Sequence, residues 1–186
     1  KPAAAALQRG GQPLRWSANP KNYPSREAFD ADLAQAVAAV HPDWILCAGY
    51  LRILGSAFVD RFRGRTINIH PSLLPKFRGL HTHARAIEEG EREHGASVHF
   101  VIPELDAGGV IAHAVVAIDA GDTPESLAAR VLDVEHPLVL AVMRLPVDGR
   151  LAEHGAPVAL DGHPLFTPLR LDFAGRLTHP ATGIAA

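Results

Sequence analysis

The sequence has little cysteine, no long apolar run and almost no excess charge. Cys47 is the single cysteine among 186 residues, so an internal disulfide framework is excluded and a reducing compartment is favoured. No apolar run approaches the ~20 residues that span a bilayer. Lys and Arg number 18 against 20 Asp and Glu, a net charge of −2, which gives no basic footprint for nucleic acid or an anionic membrane. We therefore predict a soluble, cytoplasmic protein without nucleic-acid or membrane partners.

The length and the hydrophobic content of 47% suit a globular protein with one sizeable core. Helix-like and strand-like segments alternate, which predicts an α/β fold with an open, mostly parallel, Rossmann-like sheet and helices on both faces. The predicted helices are "PSREAFDADLAQAVAAVH" after Ser25, "SAFVDRF" capped by Ser56, "HARAIEEGE", and "DTPESLAARVLDVEHPLVLAVMRL", which Pro137 should kink or interrupt. The predicted strands are "DWILCAGY", buried on both faces, then "TINIH", "ASVHFVI" and "VIAHAVVAI", with a weak strand near Leu151.

Two expectations concern the ends of the chain. The pattern opens on a helix without a preceding strand and glycine-rich turn, so we expect this chain to lack a first βα unit of about 30 residues. We assign residues 1–162 to one domain, incomplete at its N-terminus. Residues 163–186 are rich in turn formers, and we expect them to form a loosely ordered tail.

The stretch "INIHPSLLPKFRGLHTH" is dense in histidine and proline. One interpretation is a metal site, in which His81 and His83 of "HTH" join His70 and Asp106. Against it, positions i and i+2 of a helix point to different faces, and no Cys pair or H-E-x-x-H motif accompanies the histidines. We therefore predict no metal, and the metal site stays open as the weaker alternative.

The same stretch ends a predicted strand with Asn68 and His70. Residues i and i+2 of a strand project from one face, here near the carboxyl end where open α/β sheets bind ligands. An amide and an imidazole there can donate hydrogen bonds to a developing oxyanion. Asp106, in the glycine-rich "ELDAGG", would favour protonated His70. The set contains no serine or cysteine nucleophile, which favours direct acyl transfer to an amine, although a buried polar pair and a turn aspartate remain the plainer interpretation.

The longer segment "INIHPSLLPKFRGLHTHARAIEEGEREHGASVHFVIPELDAGGVI" resembles the formyltransferase family that uses 10-formyltetrahydrofolate. The similarity runs from about Ser25 to Gly162 and includes "SREAFD", "AGYLRIL", "GDTPESLAARV" and the "EH" of Glu135. It is strongest to the members that formylate glycinamide ribonucleotide in purine biosynthesis. The resemblance implies a Rossmann-like enzyme with 10-formyltetrahydrofolate as co-substrate and two small-molecule substrates.

The resemblance also implies roles for individual residues. Asn68, His70 and Asp106 would be catalytic, with His70 as proton donor. Folate would contact an arginine, a segment after the first strand and a loop near the trio: Arg26, Leu51, Arg52, Ile53, Leu54, Asn68, Ile102, Pro103, Glu104, Leu105 and Asp106. The ribonucleotide would contact Leu132, Asp133, Val134 and Glu135, with Glu135 on the ribose hydroxyls.

Three departures keep alternatives open. The family's N-terminal Gly-Ser-Asn phosphate loop has no counterpart, "LDAGGVI" lacks the usual proline after its glycines, and Arg78 is more usual in tRNA-directed relatives. Methionyl-tRNA formyltransferase and formyltetrahydrofolate hydrolase are therefore competing interpretations. The first has an extra C-terminal domain and needs a basic surface for tRNA, and the second has an N-terminal regulatory domain and lacks the "HTH". A non-catalytic folate-binding fragment is a further alternative, and the oligomeric state is open between monomer and homodimer.

Overall fold

The computed structural model describes residues 16–153, 157–180 and 186, and the chain forms two compact units, Lys1–His41 and Pro42–Ala186. The described part of the first unit contains a 3₁₀ turn, Pro20–Asn22, and helix α1, Arg26–Ala38. Helix α1 begins as predicted, because the Ser25 hydroxyl accepts a hydrogen bond from the Ala28 N–H at 3.2 Å. Phe29 is buried, with its ring 5.2 Å from that of Tyr23 and edge-on to it.

The second unit contains the remaining helices and all the strands of the described residues. The helices are α2 (Ser56–Arg61), α3 (Thr82–Glu88) and α4 (Pro124–Val147). The strands are β1 (Ile45–Cys47), β2 (Thr66–His70), β3 (Glu93–Phe100), β4 (Val110–Ala117), β5 (Leu151–Ala152), β6 (Val158–Leu160), β7 (His163–Leu165), β8 (Leu169–Leu171) and β9 (Leu177–Thr178).

Six strands form the main sheet in the order β1-β2-β3-β4-β8-β9, and β5-β6-β7 form a small separate sheet. Strands β1, β2, β4 and β8 run in one direction, whereas β3 and β9 run in the other. The predicted α/β fold with a mostly parallel sheet is confirmed by this majority direction. The sheet is nevertheless mixed, because β3 runs antiparallel to both β2 and β4, and alternation of helices and strands alone did not predict these pairs.

The core lies between the main sheet and α4. Val98, Phe100 and Ile111 of the sheet and Leu127 and Leu138 of α4 are fully buried in one cluster. Helix α4 begins at a capping box, in which the side chains of Thr123 and Ser126 each accept from the other's backbone N–H. Pro137 does not interrupt α4, because one continuous helix includes it, and the alternative of a kink stays a prediction.

Three local expectations differ from the structure. Gly55 and not Ser56 is the N-cap of α2, and it makes no side-chain capping bond. Strand β1 lies at the edge of the described sheet and leaves Leu46 36% exposed, so it is not buried on both faces. The segment expected to be a loose tail contributes β8 beside β4, because Leu169 is fully buried in the core. The domain limits 1–162 stay a prediction.

Candidate active site

The carboxyl end of β2 opens onto a cavity of about 870 Å³. Asn68 and His70 lie on β2 and both line this cavity, as the two-residue period of a strand requires. Asp106, from the loop that follows β3, lines it as well. The structure thus brings together the three side chains that the sequence pattern singled out.

His70 is held between a backbone carbonyl and a carboxylate. Its Nε2 donates to the Phe77 carbonyl at 2.9 Å, and its Nδ1 lies 3.4 Å from Asp106 Oδ2. A carbonyl oxygen can only accept, so Nε2 carries the hydrogen of the neutral ring. Nδ1 gains a hydrogen only when the ring becomes a cation, and that hydrogen would lie beside the Asp106 carboxylate. The His70 proton that can act in the cavity is therefore the one on Nδ1.

Asp106 is fixed by the backbone. Its Oδ2 accepts from the Gly79 N–H at 2.9 Å, which ties the loop after β3 to the proline-rich loop after β2. Its backbone has φ +48°, the left-handed region that aspartate and asparagine tolerate better than most residues. The side chain is only 10% exposed, so the carboxylate faces the histidines with little water around it.

Two glycines after Asp106 let the loop return closely against the sheet. A Cβ on Gly108 would lie 1.9 Å from the Phe100 carbonyl oxygen, and one on Gly109 would lie 2.5 Å from Val158 Cγ2. The Phe100 N–H donates to the Gly109 carbonyl at 3.0 Å. Glycine at position 108 is therefore required for this close approach of the two backbones, and glycine at position 109 leaves room for the Val158 side chain.

The proline-rich loop after β2 is anchored by buried hydroxyls. The Ser97 hydroxyl of β3 donates to the Ser72 carbonyl at 2.6 Å and accepts from the Leu74 N–H at 3.0 Å. The Thr82 hydroxyl donates to the Pro71 carbonyl at 2.6 Å. The loop lies outside the helices and strands, and these bonds satisfy backbone C=O and N–H groups that are not paired within a helix or a sheet. They hold the segment that carries Phe77 and Gly79, the backbone partners of the site.

His99 belongs to the site, and the sequence analysis did not single it out. Its Nε2 lies 3.2 Å from Asn68 Nδ2 and 3.7 Å from Asp106 Oδ1, and its Nδ1 donates to the Phe100 carbonyl at 2.8 Å. Burial lowers the pKa of His99 to about 4. The signal was the alternation of "ASVHFVI", which places Ser97 and His99 on one face, but only the register of β3 on β2 puts His99 opposite Asn68.

The two histidines of "HTH" diverge. His81 is exposed and has φ +58°, whereas the half-buried His83 places its Nδ1 3.1 Å from His94 Nε2. Burial is the largest cause that lowers the pKa of both His83 and His94, the latter to about 4. Among residues 16–153, 157–180 and 186, no three His, Cys, Asp or Glu side chains are grouped as metal ligands.

The predicted substrate contacts divide into those inside and outside the cavity. Both predicted folate segments of the second unit line it, namely Leu51, Arg52, Ile53 and Leu54, and Ile102, Pro103, Glu104, Leu105 and Asp106. Glu135 of α4 also lines it, and burial raises the pKa of its carboxyl although His136 opposes the shift. Leu132, Asp133 and Val134 are not among the lining residues, and Leu132 and Asp133 are exposed. Arg26 belongs to the first unit, where it begins α1 and lies 3.6 Å from Asp30.

No helix among the described residues combines the length and the apolarity that a membrane crossing requires.

Comparison with protein families finds a match to one described as "Formyl transferase", over residues 2–143. The phosphoribosylglycinamide formyltransferase of Escherichia coli K12 is 48% identical over 143 residues, which are 77% of this chain and 68% of that protein. The trifunctional purine biosynthetic protein adenosine-3 of Drosophila melanogaster is 43% identical over 148 residues, and the match covers 77% of this chain but 11% of that protein.

A similar comparison of structures finds the phosphoribosylglycinamide formyltransferase of Coxiella burnetii. Its TM-score is 0.74 at 47% identity, and the match covers 78% of this chain and 69% of that one. The aligned part includes enough of both chains to show a shared fold as well as a shared sequence.

Proposed function

Because this chain belongs to the formyl transferase family, we propose that it transfers a formyl group from 10-formyltetrahydrofolate to the amino group of glycinamide ribonucleotide. The named relatives support this choice of substrate, since two of them are phosphoribosylglycinamide formyltransferases that match over more than three quarters of this chain. The observation that carries the proposal is the juxtaposition of Asn68, His70 and Asp106 at the wall of one cavity.

The proposed reaction needs positioned donors but no covalent intermediate on the protein. The amine attacks the formyl carbon, and the carbonyl oxygen becomes an oxyanion to which the Asn68 amide and the Nδ1–H of protonated His70 donate. The bond from the formyl carbon to N10 of the folate then breaks. The amine loses one proton and N10 gains one, so charge and protons balance.

Asp106 would serve this cycle by stabilising the imidazolium of His70. Its Oδ2 lies 3.4 Å from Nδ1, and the N–H of Gly79 keeps the carboxylate in that position. When His70 gives up its proton, the carboxylate favours its return. Asp106 therefore acts chiefly through His70 in the proposed mechanism.

The folate is assigned to the part of the cavity lined by Leu51, Arg52, Ile53 and Leu54 and by Ile102, Pro103, Glu104, Leu105 and Asp106. Loops of this kind offer backbone N–H and C=O groups to a flat heterocycle, and the apolar side chains enclose it. Arg26 is the proposed partner of a folate carboxylate. Glu135 is the proposed partner of the ribose hydroxyls, with Leu132, Asp133 and Val134 as its neighbours on the ribonucleotide.

The test is formyl transfer by the purified chain. It is incubated with 10-formyltetrahydrofolate and glycinamide ribonucleotide, and both the formylated amide and free formate are quantified by mass spectrometry. His70→Ala should abolish product, whereas His163→Ala, which changes an exposed histidine of β7, should not.

The assay separates the alternatives. Formate without formylated ribonucleotide would indicate a hydrolase, and formylation of methionyl-tRNA in its place would indicate the tRNA-directed activity. Folate binding without any product would indicate a non-catalytic binding protein. We also place the protein in the cytoplasm, where the proposed substrates belong, and light scattering would decide between monomer and homodimer.

A further inference from the structure

His99 lies in the interior of β3, directly across from Asn68 of β2. Its side chain is 3% exposed, yet it carries two nitrogens that both find polar neighbours. A buried imidazole in a central strand is costly unless its hydrogen bonds are made. The bonds that it makes therefore reveal its protonation state and what it requires of its neighbours.

The Phe100 carbonyl fixes the tautomer of His99. Nδ1 lies 2.8 Å from this oxygen, which can only accept, so Nδ1 carries the hydrogen. Burial lowers the pKa of His99 to about 4, and the hydrogen bond to the Phe100 carbonyl and the charge of Asp106, which both oppose that shift, do not offset it. At neutral pH, Nε2 therefore presents a lone pair and no hydrogen.

That lone pair selects one of two orientations of the Asn68 amide. The Asn68 atom 3.2 Å from Nε2 must be a donor, so it is Nδ2 and not Oδ1. A hydrogen on Nε2 would instead require Oδ1 at this place, which turns the amide through 180° and moves both N–H groups. The orientation of the amide decides whether Asn68 offers a donor or an acceptor to a substrate carbonyl.

The geometry points to His99 as a positioning residue that holds the Asn68 amide in its donating orientation through a neutral, Nδ1-protonated ring. This inference rests on the proposed formyl transfer and adds a residue to that same site. Partners that orient a reacting group are worth about 10–100-fold in activity. One N–H of the amide is used by His99, and the other is left for the substrate.

The kinetic test compares two replacements of His99. His99→Met removes the acceptor and keeps an apolar side chain of similar size, whereas the Gln of His99→Gln places an amide oxygen near the position of Nε2. We expect His99→Met to lower kcat about 10–100-fold with KM for 10-formyltetrahydrofolate within about threefold of wild type, and His99→Gln to retain kcat within about tenfold. His113→Met changes a half-buried histidine of β4 that does not line the cavity; it is the matched control and should keep the wild-type kcat.

His99→Met in the Asn68→Ala background tests whether His99 affects the reaction through Asn68. If His99 acts through Asn68, His99→Met should cost less than about threefold once the amide is gone. Additive losses, or equal losses in His99→Met and His99→Gln, would overturn the inference. Wild-type enzyme that forms no product would instead count against the proposed function.

A measurement without turnover covers the case in which a variant folds poorly. Ring ¹⁵N chemical shifts of His99 in the labelled wild-type chain, assigned by difference from His99→Gln, report which nitrogen carries the hydrogen. Hydrogen on Nδ1 with a bare Nε2 at pH 7 is the expected result. Hydrogen on Nε2 would refute the orientation argument, whatever the activity of the protein.

Discussion

Asp106→Asn removes a charge from the site while leaving its shape in place. The asparagine tolerates the left-handed backbone, with φ +48°, and its amide oxygen can still accept from the Gly79 N–H. We therefore expect a change in unfolding free energy within about 1 kcal/mol. What is lost is the negative charge 3.4 Å from His70 Nδ1.

The size of the loss follows from that distance. At 3.4 Å and an effective dielectric constant of about 20, the charge interaction is about 5 kcal/mol. That energy corresponds to a rate factor of roughly 5,000, which is a ceiling because solvent and relaxation compensate for part of it. We therefore expect kcat to fall ~10²–10³-fold, the usual cost of losing one oxyanion donor.

The assay is formyl transfer under single-turnover conditions beside urea unfolding of the same preparations. Asp60→Asn is the matched control, because Asp60 of α2 pairs at the surface with Arg63, which follows the helix, and its side chain is 55% exposed. It should change neither measurement. Turnover of Asp106→Asn within about tenfold of wild type, in a folded protein, would refute the assignment of the imidazolium as donor.

Other expected outcomes rest on single side chains. Asn68→Ala should lower single-turnover rates ~10²–10³-fold while affinity for a folate analogue, measured by calorimetry, changes only a few-fold; lost affinity with a normal saturated rate would contradict it. His94, His99 and His113 have pKa values lowered to about 4, so between pH 6.5 and 4 the unfolded chain binds more protons than the folded chain. The free energy of unfolding in urea should therefore fall over this range by up to ~1.4 kcal/mol per pH unit for each histidine, and His113→Leu should make the fall less steep. Burial raises the pKa of Cys47 to about 11, so iodoacetamide at pH 7 should label it roughly 100-fold more slowly than free cysteine. Fast labelling would argue against this environment.

Sequence reasoning succeeded where the information is local. The helix after Ser25 and the capped start of α4 follow from side chains within four residues. Asn68 and His70 share a face because two-residue alternation is a property of any strand. The proximity of Asp106 to His70 was inferred from its place in a glycine-rich loop after a predicted strand and from the family resemblance. In the structure the two side chains lie 3.4 Å apart.

Sequence reasoning failed where the surroundings of a residue depend on a strand that is distant in the sequence. The alternation of β3 showed Ser97 and His99 on one face, but nothing in the segment states that β3 runs antiparallel to β2 with His99 opposite Asn68. Three-residue strands such as β8 are too short to show alternation, so the burial of Leu169 could not be read from its neighbours. Edge or central placement of β1 likewise depends on the whole sheet.

The glycines that follow Asp106 limit which substitutions this loop tolerates. Saturation mutagenesis should show that Gly108 cannot be replaced even by alanine, since the added Cβ would lie 1.9 Å from the Phe100 carbonyl oxygen. Glu104 and Leu105 in the same loop are exposed, so many substitutions there should remain viable. Change in this loop should therefore be confined to exposed side chains, while the turn that carries Asp106 must keep a glycine at position 108.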